Sequence, residues 1–97
     1  MRVEWTVEAS AEFNHMLAYI AAQDASAAGL VAERVLKAEE SILAFPKAGR
    51  YDSDTDTYDR YIPRTRIILT YVIRGDVIWV VTAWHTSRDS VTKPSRS

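Results

Sequence analysis

The 97 residues contain no cysteine, which excludes disulfides and cysteine-ligated zinc. Glycine and proline occur three times each. No glycine-rich phosphate loop, internal repeat or persuasively spaced Ser/His/Asp set is present. No apolar run is long enough to span a bilayer, and Met1-Arg2-Val3-Glu4 does not open a signal peptide. These absences predict a cytoplasmic protein without membrane partners, bound metal or cofactor. Lysine is scarce, at Lys37, Lys47 and Lys93.

The formal net charge of −1 hides an asymmetry. Residues 1–57 hold five Lys/Arg against ten Asp/Glu, and residues 58–97 hold seven against three. Positive potential therefore concentrates in the C-terminal part, where an anionic partner would be attracted. The chain is short enough for one modest core.

The densest apolar stretch runs from Arg60 to Arg88. Two β-branched and aromatic runs, Arg66–Arg74 and Val77–His85, flank Gly75-Asp76, the signature of a two-residue hairpin loop. A regular register would pair Arg74 with Val77, Val72 with Trp79, Ile68 with Ala83 and Arg66 with His85. It places Ile67, Leu69, Tyr71, Ile73, Ile78, Val80, Thr82 and Trp84 on a core face. The opposite face is unusually apolar around Val72, Trp79 and Val81, which points to a covering layer or a partner.

Upstream, Arg2–Thr6 alternates like a strand, and Thr6 can cap a helix over Ala9–Ala22 with Ala9, Phe13, Met16, Leu17 and Ile20 on one stripe. His15 falls off that stripe and reads as a surface residue. Ser26 is a plausible cap for a second helix whose seam is Ala28, Val31, Val35, Ala38, Ile42 and Phe45, stopped by Pro46. Leu30, Leu36 and Leu43 lie off this seam and offer a second contact surface.

Lys47–Thr57 reads as a polar loop. Its Asp52, Asp54 and Asp56 imitate the opening of a calcium loop, but Thr57 stands where glycine is needed and Pro63 where the bidentate glutamate is needed. Tyr58–Ile62 reads as a short edge strand ended by Pro63. Residues 1–90 form one domain by this reading, and 91–97 a flexible tail. The β-α-α-β-β-β order predicts an α+β fold, an antiparallel helical hairpin packed on a mainly antiparallel four-stranded sheet.

This order and its landmarks resemble the RelE/ParE superfamily of type II toxins. The resemblance rests on Val3-Glu4-Trp5-Thr6, Tyr19-Ile20-Ala21, Phe45-Pro46-Lys47-Ala48-Gly49-Arg50 and Tyr61-Ile62-Pro63. It continues through Leu69-Thr70-Tyr71, Gly75-Asp76-Val77 and Ala83-Trp84-His85-Thr86-Ser87-Arg88-Asp89, and so covers nearly the whole chain. The His-x-x-Arg ending looks more like the ParE branch. That resemblance implies a toxin neutralised by a cognate antitoxin, reaching operator DNA only through it, with DNA gyrase as the inhibited target. Antitoxin contacts are expected at Val72, Trp79, Val81 and Leu36, and target contacts at Arg88, Lys93 and Arg96.

The RelE branch instead cleaves mRNA on the ribosome, and an inactive antitoxin-binding homologue is a third reading. Cleavage needs proton transfer and cations around the developing charge. His85, Arg66, Arg60 and Arg88 are the candidates for those roles. Against cleavage, Ile68 stands three positions before Tyr71, where many nuclease members carry arginine. A pI near 6.1 also suits an RNA surface poorly.

Overall fold

The computed structural model describes residues 1–86. Thr6, in extended backbone, accepts a hydrogen bond from the Ala9 amide through its side chain and so starts α1 (Val7–Gln23). The second cap is Asp24, whose carboxylate takes the Ser26 and Ala27 amides and opens α2 (Ala25–Ala44). Asp24 thus performs the role expected of Ser26. A carboxylate meets the positive end of a helix better than a hydroxyl does. Each helix runs slightly beyond its apolar stripe, because caps and not periodicity end it.

The strands are β1 (Arg2–Trp5), β2 (Arg50–Asp52), β3 (Thr57–Tyr61), β4 (Ile67–Arg74) and β5 (Val77–His85). They form one sheet in the order β1-β5-β4-β3-β2, with β1 parallel to β5 and the other pairs antiparallel. The α+β architecture is as expected, with one strand more. β2 lies inside the segment read as a polar loop, and it takes the edge position expected of β3. Three residues rich in charge carry too little periodicity to announce a strand; cross-strand bonding to β3 creates it.

Both helices lie on one side of the sheet. Ala9 and Met16 of α1 and Val31, Val35, Ala38 and Ile42 of α2 close over Ile67, Leu69, Tyr71, Ile78, Val80 and Ala83. Phe13, Leu17 and Ile20 pack at the margin of this core. Phe45, expected on the α2 seam, is 65% exposed. It is the C-cap, with φ −137°, so it has already left the helical path.

The β4–β5 hairpin departs from a regular register. Gly75 has φ +61° in the two-residue loop, as expected of a glycine there. Arg74 pairs with Val77, Val72 with Trp79 and Tyr71 with Val80. The next pair is Thr70 with Thr82, so Val81 is an extra residue, a β-bulge. Beyond it Leu69 faces Ala83, Ile68 faces Trp84 and Ile67 faces His85. Directly opposed residues share a face, so the bulge turns Ala83 and His85 toward the helices and Thr82 and Trp84 to the open side. The expected Ile68–Ala83 and Arg66–His85 pairs do not form, and Thr82 and Trp84 leave the assigned core face. Glu12 of α1 accepts the Ala83 amide at 3.0 Å, tying the bulged strand to the helical layer.

Ile42 is wholly buried beneath this sheet. Truncating it with Ile42→Ala should cost about 2–5 kcal/mol of stability, read from urea unfolding of the purified chain.

Candidate functional site

A concave surface lies between α2 and the end of β3. It is a groove of about 450 Å³ lined by Arg34, Lys37, Ala38, Ser41, Arg60, Tyr61, Pro63 and Arg64. Arg34, Lys37 and Ser41 share one face of α2 at helical spacing, while Arg60 and Tyr61 come from β3 and Pro63 and Arg64 from the turn that follows.

Arg60 joins the two layers. Its position opposite Leu69 points it to the helical side, where Nη1 donates to Ser41 Oγ and Nη2 to the Phe45 carbonyl, both at 2.8 Å. A guanidinium at a helix C-terminus satisfies carbonyls that have no intrahelical donor and meets the negative end of the helix dipole. The buried Arg60 Nε has no hydrogen-bond partner among the described residues. Arg60 therefore has a structural duty in addition to lining the groove.

Beside it, Tyr71 is fully buried and donates its hydroxyl to the Pro46 carbonyl at 2.8 Å. Its ring stacks on Tyr58 at 5.5 Å, and Tyr58 in turn meets Tyr51 at 4.9 Å. Burial raises the Tyr71 pKa, since the phenolate would lose hydration, and the nearby Arg60 charge offsets part of that rise. Gly49 lets the loop after α2 pass over this ring. An added Cβ would sit 2.7 Å from the Asp59 carbonyl oxygen and 3.0 Å from the Tyr71 hydroxyl.

The turn after β3 holds the second unusual cation. The Thr65 amide donates to the Ile62 carbonyl at 3.2 Å, with Pro63 and Arg64 between them. Arg64 has φ +63°. Proline followed by a positive-φ residue is the pattern of a type II turn, whose third position normally goes to glycine or asparagine. Thr65 locks the turn through its hydroxyl, donating to the Ile62 carbonyl and accepting the Ile67 amide. Arg34 Nη1 reaches the Arg64 carbonyl at 3.4 Å. The sequence reading missed this groove because Arg34 and Lys37 belong to the acidic part of the chain. The X-Pro-Arg-Thr turn at residues 62–65 was the available signal.

Of the four residues named for the nuclease reading, three lie among the described residues. Arg60 lines the groove, but Arg66 and His85 do not. The Arg66 carbonyl accepts the Thr86 amide, so Arg66 lies across from Thr86, one residue beyond His85. His85 is half-buried on the helical side, opposite Ile67. Arg88, Lys93 and Arg96 lie outside the described residues.

Of the expected antitoxin contacts, Val72 and Trp79 are directly opposed on the open face and Val81 is the bulge residue. Leu36 belongs to the other layer. It is 62% exposed and lines a smaller groove of about 300 Å³ with Trp5, Phe13, Val35 and Glu39. On the open face, Thr70 donates to Asp59 at 2.7 Å and accepts the Trp84 indole N–H at 3.2 Å. The acidic turn is internally engaged: Asp52 accepts the Asp54 amide, and Asp56 takes the Tyr51 hydroxyl and the Arg74 guanidinium.

Two predictions follow from the junction at Tyr71. Gly49→Ala should destabilise the fold by about 1–3 kcal/mol, because the obstructing atom is backbone and cannot swing away. Thermal unfolding measures it. As for pH, the folded chain holds the Tyr71 proton more tightly than the unfolded chain does, whose reference value is 10.0. Above that value the unfolded state binds fewer protons, so stability falls as pH rises. Urea midpoints should drop above pH 10.0, and Tyr71→Phe should flatten that part of the profile.

The family profile described as ParE toxin of type II toxin-antitoxin system, parDE, matches residues 3–90. No curated protein matches the chain by sequence. Among solved structures, a chain of the chromosomal ParDE TA system from P. aeruginosa is similar, with a TM-score of 0.75 at 15% identity. That match covers 88% of this chain and 95% of the other, and shows a shared fold. With the profile spanning almost the whole domain, this chain belongs to the ParE toxin family of type II toxin–antitoxin systems.

Proposed function

We propose that this chain inhibits DNA gyrase by binding, acts in the cytoplasm, and is held inactive by a cognate antitoxin. Family membership supports a toxin with an antitoxin partner. The observation that favours binding over RNA cleavage is the bulge at Val81, which turns His85 to the helical side of the strand and sets it opposite Ile67 in place of Arg66. General acid–base catalysis on a ribose hydroxyl needs the proton-transferring group within hydrogen-bond reach of substrate, with cations converging on the same phosphate. Four cations, Arg34, Lys37, Arg60 and Arg64, line the groove beside α2, and His85 is not among its lining residues.

In this reading the toxin moves no proton. Its open sheet face around Val72, Trp79 and Val81 and the exposed Leu36 offer apolar contact to partners, while Arg88, Lys93 and Arg96 supply the basic surface for the target. None of the helices described is long and apolar enough to cross a membrane.

Purified chain should inhibit gyrase supercoiling in a salt-sensitive manner and leave ribosome-bound mRNA intact. His85→Ala should leave inhibition unchanged. Codon-specific mRNA cleavage that disappears in His85→Ala, with supercoiling untouched, would assign the chain to the nuclease reading instead.

A further inference from the structure

We propose that the β2 edge of the sheet pairs with β2 of a second copy of this chain, antiparallel and centred on Tyr51. The two five-stranded sheets then join into one. In that register Tyr51 stands opposite Tyr51 of the second copy, and each Arg50 stands opposite the other copy's Asp52.

Three observations carry it. First, β2 is the last strand of the sheet, so one side of its backbone has no strand partner among the described residues. An open row of amides and carbonyls is a template for another strand unless its side chains oppose the pairing. Tyr51 is aligned with Tyr58 and through it with Tyr71, on the helical side, so Arg50 and Asp52 lie together on the open side. Their charges are opposite. A two-fold antiparallel pairing therefore sets a cation against an anion twice, where two like charges would repel.

Second, the other edge provides a contrast. β1 carries the same order, Arg2-Val3-Glu4, but there Arg2 Nε meets Glu4 Oε2 at 3.1 Å within the strand. In β2 the acid is an aspartate, one methylene shorter, and it accepts the Asp54 amide at 2.9 Å. Arg50 is exposed and makes no hydrogen bond or ion pair among the described residues. Asp59, opposite it on β3, takes the Thr70 hydroxyl. One edge is closed on itself, and the other keeps a cation for an incoming carboxylate.

Third, a ladder of tyrosines runs out to this edge. The buried Tyr71 stacks on Tyr58 at 5.5 Å, Tyr58 meets Tyr51 at 4.9 Å, and Tyr51 is 49% exposed. A directly opposed Tyr51 continues the ladder at the cross-strand spacing of about 4.5–5.5 Å between Cβ atoms. Leu43 and Phe45, at the end of the helix that leads into β2, are exposed as well. Opposed residues share a face, so both helical layers lie on one side of the joined sheet. Both open faces around Val72 and Trp79 then form one wider surface on the other side. The strand contact is only three residues long on each copy, which makes a weak dimer that fills at high concentration.

Sedimentation velocity of the full chain, over a concentration series reaching the submillimolar range, should show monomers converting to dimers. Amide hydrogen exchange at residues 50–52 should slow as the dimer fills, and salt should weaken it. Arg50→Asp or Asp52→Arg sets like charges against each other in both pairs, and each should raise the dissociation constant about tenfold or more. An equimolar mixture of the two variants restores both opposite-charge pairs and should associate as the wild type does. Arg50→Asp changes an exposed side chain and decides the loss by itself if Asp52→Arg lowers the melting temperature. A chain that stays monomeric throughout, single variants that self-associate like the wild type, or a mixture of folded variants that stays monomeric would overturn the proposal. Dimers that survive both charge changes but dissociate in Leu36→Asp would overturn it in favour of contact through the helices.

Discussion

The single extra residue in β5 governs what each side of this sheet presents. Before Val81 the hairpin follows the regular alternation, and Ile78 and Val80 lie under the helices with Ile73 and Tyr71. After it, alternation resumes with the opposite phase, because side chains project with a period of two and one inserted residue inverts them all. Ala83 then enters the core, and its small side chain fits close beneath α1, while the Ala83 amide meets Glu12. Trp84 moves to the open side and settles its indole N–H on Thr70, which is already bonded to Asp59. The bulge is thus supported from both faces, by a carboxylate above and a hydroxyl below.

A second dependence runs through Tyr71 and Arg60. The end of α2 is joined to the sheet by polar contacts: Arg60 to the Phe45 carbonyl and Ser41, and Tyr71 to the Pro46 carbonyl. Buried polar groups are costly unless bonded, so these contacts fix where α2 stops and how the following loop crosses the sheet. Gly49 permits that crossing at a distance which a side chain would not allow. The same arrangement holds one wall of the basic groove in place. Arg60 therefore both anchors the end of α2 and lines the groove, while Arg64, also in its lining, sits at a positive φ.

The charge asymmetry takes a different form in three dimensions from the one along the chain. Arg34 and Lys37 sit on a helix within the acidic part, yet they face Arg60 and Arg64 from the basic part across a single groove. Charges far apart in sequence add where the fold brings them together. An acidic turn gathers at the opposite end of β3, where Asp52 and Asp56 are taken up by local bonds to Asp54, Tyr51 and Arg74. The molecule is consequently polarised along β3, a feature that neither the net charge nor the two-part count discloses.

The sequence by itself determined the α+β class, the capped α1, the apolar stripes of both helices and the Gly75-Asp76 loop. Each depends on local chemistry: a hydroxyl before a helix, a repeat near three and four residues, a residue tolerating positive φ. It also carried the landmarks of the ParE toxin family. Other features were decided by the tertiary structure. The choice of Asp24 over Ser26 as cap, the strand β2, and the exposed Phe45 came from competition among similar local options. The bulge came from packing, since Val81 is as good a strand residue as its neighbours and nothing in its side chain marks it as the one to be left unpaired. That one register choice separated His85 from Arg66, and helix–sheet packing assembled a groove from Arg34, Lys37, Arg60 and Arg64. Periodicity tells which residues seek burial, but only the packed layers fix which partners they meet.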